Sequence, residues 1–217
     1  MPKPVLFVLA GVNGAGKSSI GGHLLKQAGA TWFNPDTFAR ELIAATGCGQ
    51  EEANGHAWAE GVRRLDAAIA RRRNYAFATT LGGRTIAEKI LAATRTHDVM
   101  MWFFGLASAD LHIHRVRTRV ASGGHDIPER RIRERYPKAV LNLIALMPHL
   151  AHLRVYDNST EAAIGEAVAD PILVLDMKAG KLTWPLPRDQ DALGATPDWA
   201  KPIVEAALSR NSRATSQ

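Results

Sequence analysis

The sequence predicts an α/β fold of three layers, in which helices cover both faces of a mainly parallel sheet of about five strands, with a hairpin near the C-terminal end. Short, wholly apolar segments alternate with amphipathic segments, the order that gives parallel strands joined by right-handed helical crossovers. A glycine-rich segment directly follows the first apolar segment, as a phosphate-binding turn between a strand and a helix does. The length of 217 residues favours one domain.

The strands are predicted from continuous apolar runs, because a strand of a parallel sheet is buried on both faces. The first run ends at Gly11, and the short second run ends at an Asn-Pro pair. Near the C-terminus the turn Met-Lys-Ala-Gly separates two apolar segments and predicts the hairpin. The predicted strands are 5–10, 31–34, 75–80, 98–106 and 153–156, with 172–176 and 181–184 in the hairpin.

The helices are predicted from apolar residues spaced three and four apart. The longest contains Trp58, Val62 and Leu65, whose spacing predicts that they face the core. Pro128 suits the first turn of a later helix, and Pro137 is expected to kink that helix. The predicted helices are 17–28, 36–45, 50–73, 85–94, 110–120 and 128–150.

The positive charge is concentrated in one segment. The formal net charge is +6, and residues 111–138 hold eight Lys and Arg against three Asp and Glu. A local cationic block indicates an anion site, for the phosphates of a small ligand or for nucleic acid. The rest of the chain is nearly neutral and has no basic stripe interleaved with aromatic residues. This favours the small ligand and disfavours a nucleic-acid partner.

Cysteine content and hydropathy exclude other classes of protein. The single cysteine, Cys48, rules out an internal disulfide and fits a reducing compartment. The longest apolar run, 99–107, is too short to span a bilayer. The first apolar run is not followed by the small-residue cleavage site of a signal peptide. A cytoplasmic location without membrane attachment is therefore expected.

Residues 11–18, GVNGAGKS, match the phosphate-binding pattern G-x-x-x-x-G-K-[ST] of P-loop NTPases. The glycines let successive backbone N–H groups face one oxyanion, and the following helix adds the partial positive charge of its N-terminus. Lys17 is expected to bridge the β- and γ-phosphates of ATP, and the Ser18 hydroxyl to bind Mg²⁺. The residues of this region predicted to bind ATP are Gly11, Asn13, Gly14, Ala15, Gly16, Lys17, Ser18 and Ser19.

Polar residues at the carboxyl ends of the second and third predicted strands are candidates for acceptor binding, because ligands of parallel sheets bind at this edge. Asp36 can orient an acceptor hydroxyl in line with the γ-phosphorus and take its proton, as in a kinase, or it can cap the following helix. Thr79 and Thr80 precede a Gly-Gly-Arg84 turn. These residues would hold the acceptor, or the strand would simply end in a turn there.

The cationic segment predicts a lid at about 111–138. Arg115 and Arg119 lie one helical turn apart and share a face. After a Gly-Gly turn, the next helix carries Arg130, Arg131, Arg133 and Arg135. Two arginine-bearing helices joined in this way can close over a polyphosphate and stabilise the charge of the transferred phosphoryl group. A solvated basic face is the alternative interpretation.

Several segments of the chain together resemble one known family. They are LAGVNGAGKS at 9–18, NPDTF at 34–38, FATTLGGR at 77–84, RVASGGHDIP at 119–128 with IRERY at 132–136, and VYDNS at 155–159. The chain resembles the zeta-toxin family of P-loop kinases, in particular its compact single-domain members. The resemblance implies an adenylate-kinase-like fold and ATP-dependent phosphorylation of a small acceptor. In the toxins proper this acceptor is the 3′-hydroxyl of UDP-N-acetylglucosamine, and an antitoxin protein blocks ATP binding.

The resemblance also implies roles for single residues. Asp36 takes the position of the catalytic base, and Asn158 lies near the place where the adenine would bind. Ala78 departs from the family, which usually has Glu beside the acceptor at this position. The residues that fall in the lid contacting the γ-phosphate are Arg119, Arg133 and Arg135. Thr79 and Thr80 fall on the acceptor-binding strand.

The sequence therefore predicts a cytoplasmic kinase that uses ATP and Mg²⁺ to phosphorylate a hydroxyl of a small molecule, with UDP-N-acetylglucosamine as the family's acceptor. One domain at 1–210 is followed by a flexible tail at 211–217. The resemblance adds an antitoxin as a candidate protein partner. Two alternatives stay open. One is a P-loop kinase of a nucleoside, a sugar or a nucleic-acid end, and the other is a non-catalytic ATP-binding module.

Overall fold

The computed structural model describes residues 2–21, 32–124, 126–160 and 169–215. Its strands are β1 Val5–Ala10, β2 Tyr75–Thr79, β3 Asp98–Gly105, β4 His152–Asp157, β5 Ile172–Lys178 and β6 Lys181–Trp184. They form one six-stranded sheet in the order β2-β1-β3-β4-β5-β6. The first four strands run parallel, and β5 and β6 continue the sheet in antiparallel pairing. The mainly parallel sheet and the C-terminal hairpin are confirmed, and the hairpin joins the sheet rather than standing apart from it.

The predicted strand at 31–34 is wrong. Phe33 makes only an isolated parallel bridge to Phe77, in which its N–H donates to the Ala76 carbonyl at 2.9 Å and its carbonyl accepts from the Ala78 N–H at 2.9 Å. Pro35 starts a helix immediately afterwards, so the segment has no length over which to pair further. Thr31 lies outside the described residues.

The helices are α1 Pro35–Thr46, α2 Gln50–Ala70, α3 Arg84–Ala93, α4 Ala109–Ala121, α5 Glu129–Leu146, α6 Gln190–Gly194 and α7 Lys201–Thr215. The predicted helices match α1 to α5 within a few residues, and α5 continues through Pro137. Helices α6 and α7 were not predicted, and α7 extends helical backbone through Thr215, into the segment predicted as a flexible tail. Of the predicted helix at 17–28, the described residues contain a π-helical turn, Lys17–Gly21, and the remainder lies outside them.

The core packs against both faces of the sheet. In β1, Leu6 and Val8 belong to one large buried cluster, whereas Leu9 belongs to a second cluster that includes Phe104. Burial on both faces is what the unbroken apolar run of β1 requires. In the described part of the chain, every helix is too short or too polar to span a bilayer.

Candidate active site

Two glycines of the loop at 11–18 are required by its backbone path. Gly11 has a φ of +141° and Gly14 a φ of +86°, values that residues with a side chain rarely adopt. A Cβ at Gly11 would lie 2.2 Å from the carbonyl oxygen of Phe104, and a Cβ at Gly14 would lie 2.7 Å from that of His112. The loop is therefore packed directly against the backbone of β3 and α4.

Lys17 places its ammonium group inside this loop. Its Nζ donates to the Gly11 carbonyl at 2.7 Å and to a second loop carbonyl at 3.2 Å. Burial lowers the pKa of Lys17 to about 8; the charge of Asp36 opposes this shift, and the charges of Arg119 and Arg135 add to it. The loop thus surrounds a cation whose charge is only partly compensated, as a polyphosphate site needs.

Asn34 connects the loop to the start of α1. Its Nδ2 donates to Ser18 Oγ at 3.2 Å, and its Oδ1 accepts from the Asp36 N–H at 3.0 Å. Asn34 is therefore the N-cap of α1, and Asp36 is not the capping residue, which was the alternative role considered for its carboxylate. Asp36 lines the cavity beside the loop.

Oxygen ligands suited to Mg²⁺ lie beside the loop. The exposed Ser18 hydroxyl and the Asp36 carboxylate are hard donors, which fit this ion. The described residues contain no group of three or more His, Cys, Asp or Glu side chains that could hold a metal.

Arg135 brings the predicted lid to the loop. Its Nη1 donates to Asn13 Oδ1 at 2.8 Å, and its side chain packs on Gly82, where a Cβ would lie 2.6 Å from Arg135 Cγ. Burial lowers the pKa of Arg135 below its usual value, although a guanidinium stays charged at physiological pH. The side chain lines the same cavity as Lys17.

The other two predicted lid arginines diverge. Arg119 Nη1 lies 3.8 Å from Asp36 Oδ2. Arg133 instead pairs with Asp110 at 2.6 Å on an exposed surface and does not line the cavity. The structure therefore does not bring Arg133 and Arg135 together, because residues two apart on a helix point to different sides, and a role of Arg133 at the γ-phosphate stays a prediction.

A cavity of about 530 Å³ lies beside the loop, within the usual range for small-molecule sites. Thr79 and Thr80, the predicted acceptor-binding threonines, line it. Their hydroxyls also accept from the N–H groups of Leu81 and Gly82, at 3.0 and 3.5 Å, so these threonines shape the turn as well. Arg84 is not among the lining residues; its side chain is 90% exposed and pairs with Glu88 along α3.

Helix α2 forms one wall of the cavity, which the sequence did not predict. In this wall Trp58 is 55% exposed rather than buried in the core as its spacing predicted. Arg131 of the lid segment also lines the cavity and pairs with Glu51 across it at 3.5 Å. The i, i+4, i+7 spacing in this wall was visible in the sequence, but spacing alone does not separate a cavity wall from a core stripe. The lining residues of α2 are Glu51, Asn54, Gly55, Ala57, Trp58, Gly61 and Val62.

Asn158 supports the loop from β4. Its Nδ2 donates to the Ala15 carbonyl at 3.1 Å, and its N–H donates to the Gly105 carbonyl at 3.0 Å. The amide is buried. The structure therefore brings Asn158 to the loop, with its side chain bonded to the loop backbone, and its place near the adenine stays a prediction.

His112 is a buried residue that supports the loop, a role that the sequence pattern does not indicate. Its Nδ1 lies 2.8 Å from the Asn13 carbonyl oxygen, so Nδ1 carries the proton that is donated to this oxygen. Burial lowers the pKa of His112 to about 4. The imidazole is consequently neutral in the folded protein near neutral pH.

We expect the free energy of unfolding to fall as the pH is lowered from about 6.5 to about 4. The unfolded chain binds a proton at His112 near pH 6.5, whereas the folded chain binds it only near pH 4, so protonation favours unfolding by up to about 3 kcal/mol across this window. Denaturant unfolding of the wild type and of His112→Gln at pH 7.0, 5.5 and 4.5 measures the effect. Equal losses of stability in both proteins would contradict it.

A family model described as an AAA domain matches residues 6–136, a range that includes the loop, Asp36 and the lid arginines. No protein of curated function matches the sequence. Solved structures do match. A chain of the complex described as AvrRxo1-ORF1:-ORF2 with ATP superposes with a TM-score of 0.65 and 14% identity, over 95% of this chain and 64% of that chain. The present chain thus spans less than two thirds of that neighbour.

Two further structures are similar. A putative kinase from Chloroflexus aurantiacus has a TM-score of 0.50 and 15% identity, over 62% of this chain and 78% of that chain. A chain of the PezAT chromosomal toxin-antitoxin system of Streptococcus pneumoniae has a TM-score of 0.49 and 14% identity, over 72% of this chain and 68% of that chain. At such identities the AvrRxo1 complex chain and the Chloroflexus aurantiacus structure show the fold alone, which is that of P-loop kinase-like proteins.

Proposed function

The chain belongs to the AAA-domain family, and we propose that it is an ATP-dependent kinase, which transfers the γ-phosphate of ATP to a hydroxyl group of a small molecule. The cavity beside the loop carries the proposal, because Lys17, Asp36 and Arg135 all line it. A phosphate-binding loop alone serves many reactions. A carboxylate and an arginine in the same cavity are what phosphoryl transfer to a hydroxyl needs in addition.

In the proposed reaction the loop and the lid bind the polyphosphate. Backbone N–H groups of residues 11–19 and the Lys17 ammonium hold the β- and γ-phosphates. Arg119 and Arg135 stabilise the charge that spreads over the phosphoryl group during transfer. When bound, Mg²⁺ would supply positive charge that offsets the charge of the polyphosphate, and the Ser18 hydroxyl is the side chain that would hold it.

Asp36 acts on the acceptor. Its carboxylate orients the acceptor hydroxyl and takes its proton as the hydroxyl oxygen bonds to the γ-phosphorus. The bond between this phosphorus and the bridging oxygen breaks, and ADP leaves. Arg119, 3.8 Å from Asp36 Oδ2, is the lid residue that would lie beside the reacting groups.

The acceptor proposed first is the UDP-N-acetylglucosamine of the zeta-toxin type, on the strength of the sequence segments shared with that family. Ala78 favours a second candidate, because it lines the cavity with a methyl group where the zeta-toxin family usually has a carboxylate. The second candidate is a kinase of the same fold that phosphorylates a nucleoside, a sugar or a nucleic-acid end. Thr79 and Thr80 would contact either acceptor.

We also propose a cellular location and a protein partner for the enzyme. We place the kinase domain at 1–210 in the cytoplasm, with a protein partner of antitoxin type. The similarity to the AvrRxo1-ORF1:-ORF2 complex, which pairs two proteins, supports a search for such a partner.

Transfer of labelled γ-phosphate from ATP to UDP-sugars, nucleosides, free sugars and short oligonucleotides tests the proposed function. We expect label on one class of acceptor, dependent on Mg²⁺. Label on UDP-N-acetylglucosamine would establish the zeta-toxin type, and label on another class would replace the acceptor. ATP binding without transfer to any acceptor would contradict the kinase and favour an ATP-binding module.

A further inference from the structure

Trp58 is a large aromatic side chain that the fold does not bury. It lines the cavity from α2 and is 55% exposed. Tryptophan carries more apolar surface than any other side chain, so exposing it to water is unfavourable unless a ligand or partner covers it. An exposed indole in a cavity wall offers a flat face on which another ring can stack.

Gly55 lies one helical turn before Trp58 on the same face of α2 and also lines the cavity. A Cβ at Gly55 would meet no atom within 4 Å, so packing within the protein does not require glycine there. Gly61 differs, because a Cβ there would lie 3.0 Å from the Phe33 ring. Glycine in the middle of a helix weakens it. Glycine at position 55 is therefore unfavourable for the helix, but it leaves open space directly beside the Trp58 indole.

Polar groups flank this space. Asn54 lines the cavity, and its Oδ1 accepts from Gln50 Nε2 at 3.0 Å, which holds the amide in one orientation. Arg131 and Glu51 line the cavity as well and pair at 3.5 Å. An amide, a guanidinium and a carboxylate can together donate to and accept from the edge of a ring that carries nitrogen and oxygen atoms.

We propose that Trp58 and Gly55 form a stacking site that selects acceptors carrying a flat heteroaromatic ring. The ring lies against the indole, over Gly55, with its polar edge near Asn54. The acceptor hydroxyl reaches Asp36, which lines the same cavity. This inference rests on the proposed function and names the acceptor class of that site. Trp58 is then a specificity residue, which changes acceptor affinity rather than the transfer step.

Binding is measured on the intact protein with the nucleotide site saturated by a non-hydrolysable ATP analogue. Adenosine, guanosine, cytidine and uridine are the probes with a heteroaromatic ring, and ribose and glucose are the probes without one. We expect at least one nucleoside to quench tryptophan fluorescence in the wild type and not in Trp58→Phe. Trp58→Ala should bind that nucleoside about 10- to 100-fold more weakly, the usual loss for one stacked base. Trp184→Ala, a tryptophan outside the cavity, serves as the control.

Gly55→Leu separates this role from a structural one. Leucine favours a helix more than glycine does, so the melting temperature should stay the same or rise. Nucleoside affinity should nevertheless fall about as far as in Trp58→Ala, because the side chain fills the space over which the ring lies. A variant that binds as the wild type does would overturn the proposal, as would the failure of all four nucleosides to quench.

The two proposals fail in different ways. Nucleoside binding at Trp58 without phosphate transfer would support the stacking site and contradict the kinase activity. Transfer to a sugar without a heteroaromatic ring, with the same KM in the wild type and in Trp58→Ala, would support the kinase activity and contradict the stacking site.

Discussion

Asp36→Asn is expected to lower the rate of phosphoryl transfer by about 10²- to 10⁴-fold, the usual contribution of a general base. Asparagine has the same shape but cannot take the hydroxyl proton. ATP binding should persist, because the loop and Lys17 are unchanged. The N-cap of α1 should persist as well, since Asn34 provides it.

Asp36→Asn should also shift the pH dependence of ATP binding. The charge of Asp36 raises the pKa of Lys17, so its removal should move the loss of ATP affinity at alkaline pH to a lower pH. Transfer assays and calorimetric titration with ATP measure both effects. The matched control is Asp66→Asn, which removes a carboxylate that pairs with Lys89 outside the cavity. Unchanged transfer in Asp36→Asn would exclude Asp36 as the base.

Lys17→Met should lower ATP turnover by at least about 10²- to 10³-fold, because it removes a positive charge from the centre of the loop. In the wild type the same charge makes ATP binding pH-dependent. Lys17 is protonated below its pKa of about 8 and becomes neutral above it. ATP affinity should therefore fall above pH 8, by up to about tenfold per pH unit.

Titration of ATP between pH 7 and 10 measures this dependence. Lys17→Met should bind ATP weakly at every pH and show no alkaline decline of its own. Lys89→Met, which removes a lysine that pairs with Asp66, should behave as the wild type does. An alkaline decline of equal steepness in Lys17→Met would mean that another group is responsible.

The elements predicted correctly depend on local information. The apolar run of β1 and the glycine pattern after it are read from neighbouring residues, and the structure confirms the strand there. The error at 31–34 concerns pairing, since Phe33 forms a single bridge before Pro35 turns the chain into α1. A run of apolar residues does not show over how many residues it will pair with a neighbouring strand.

The candidate site was harder to predict, because it depends on which face of each helix points inward. Arg133 and Arg135 differ by two positions, yet one pairs with Asp110 on the surface and the other reaches Asn13. Trp58 has the spacing of a core residue and lines a cavity instead. Only the packing of α2 and α5 against the rest of the chain determines these outcomes.

Asn13 is bonded to both helices of the lid segment. Its carbonyl oxygen is paired with His112 of α4, and its side-chain oxygen accepts from Arg135 of α5. A shift of the loop on nucleotide binding must therefore change the hydrogen bonds of both helices. Thermodynamic linkage makes this coupling reciprocal. If a lid rearrangement changes the affinity for ATP by a given factor, ATP binding changes the equilibrium constant of that rearrangement by the same factor.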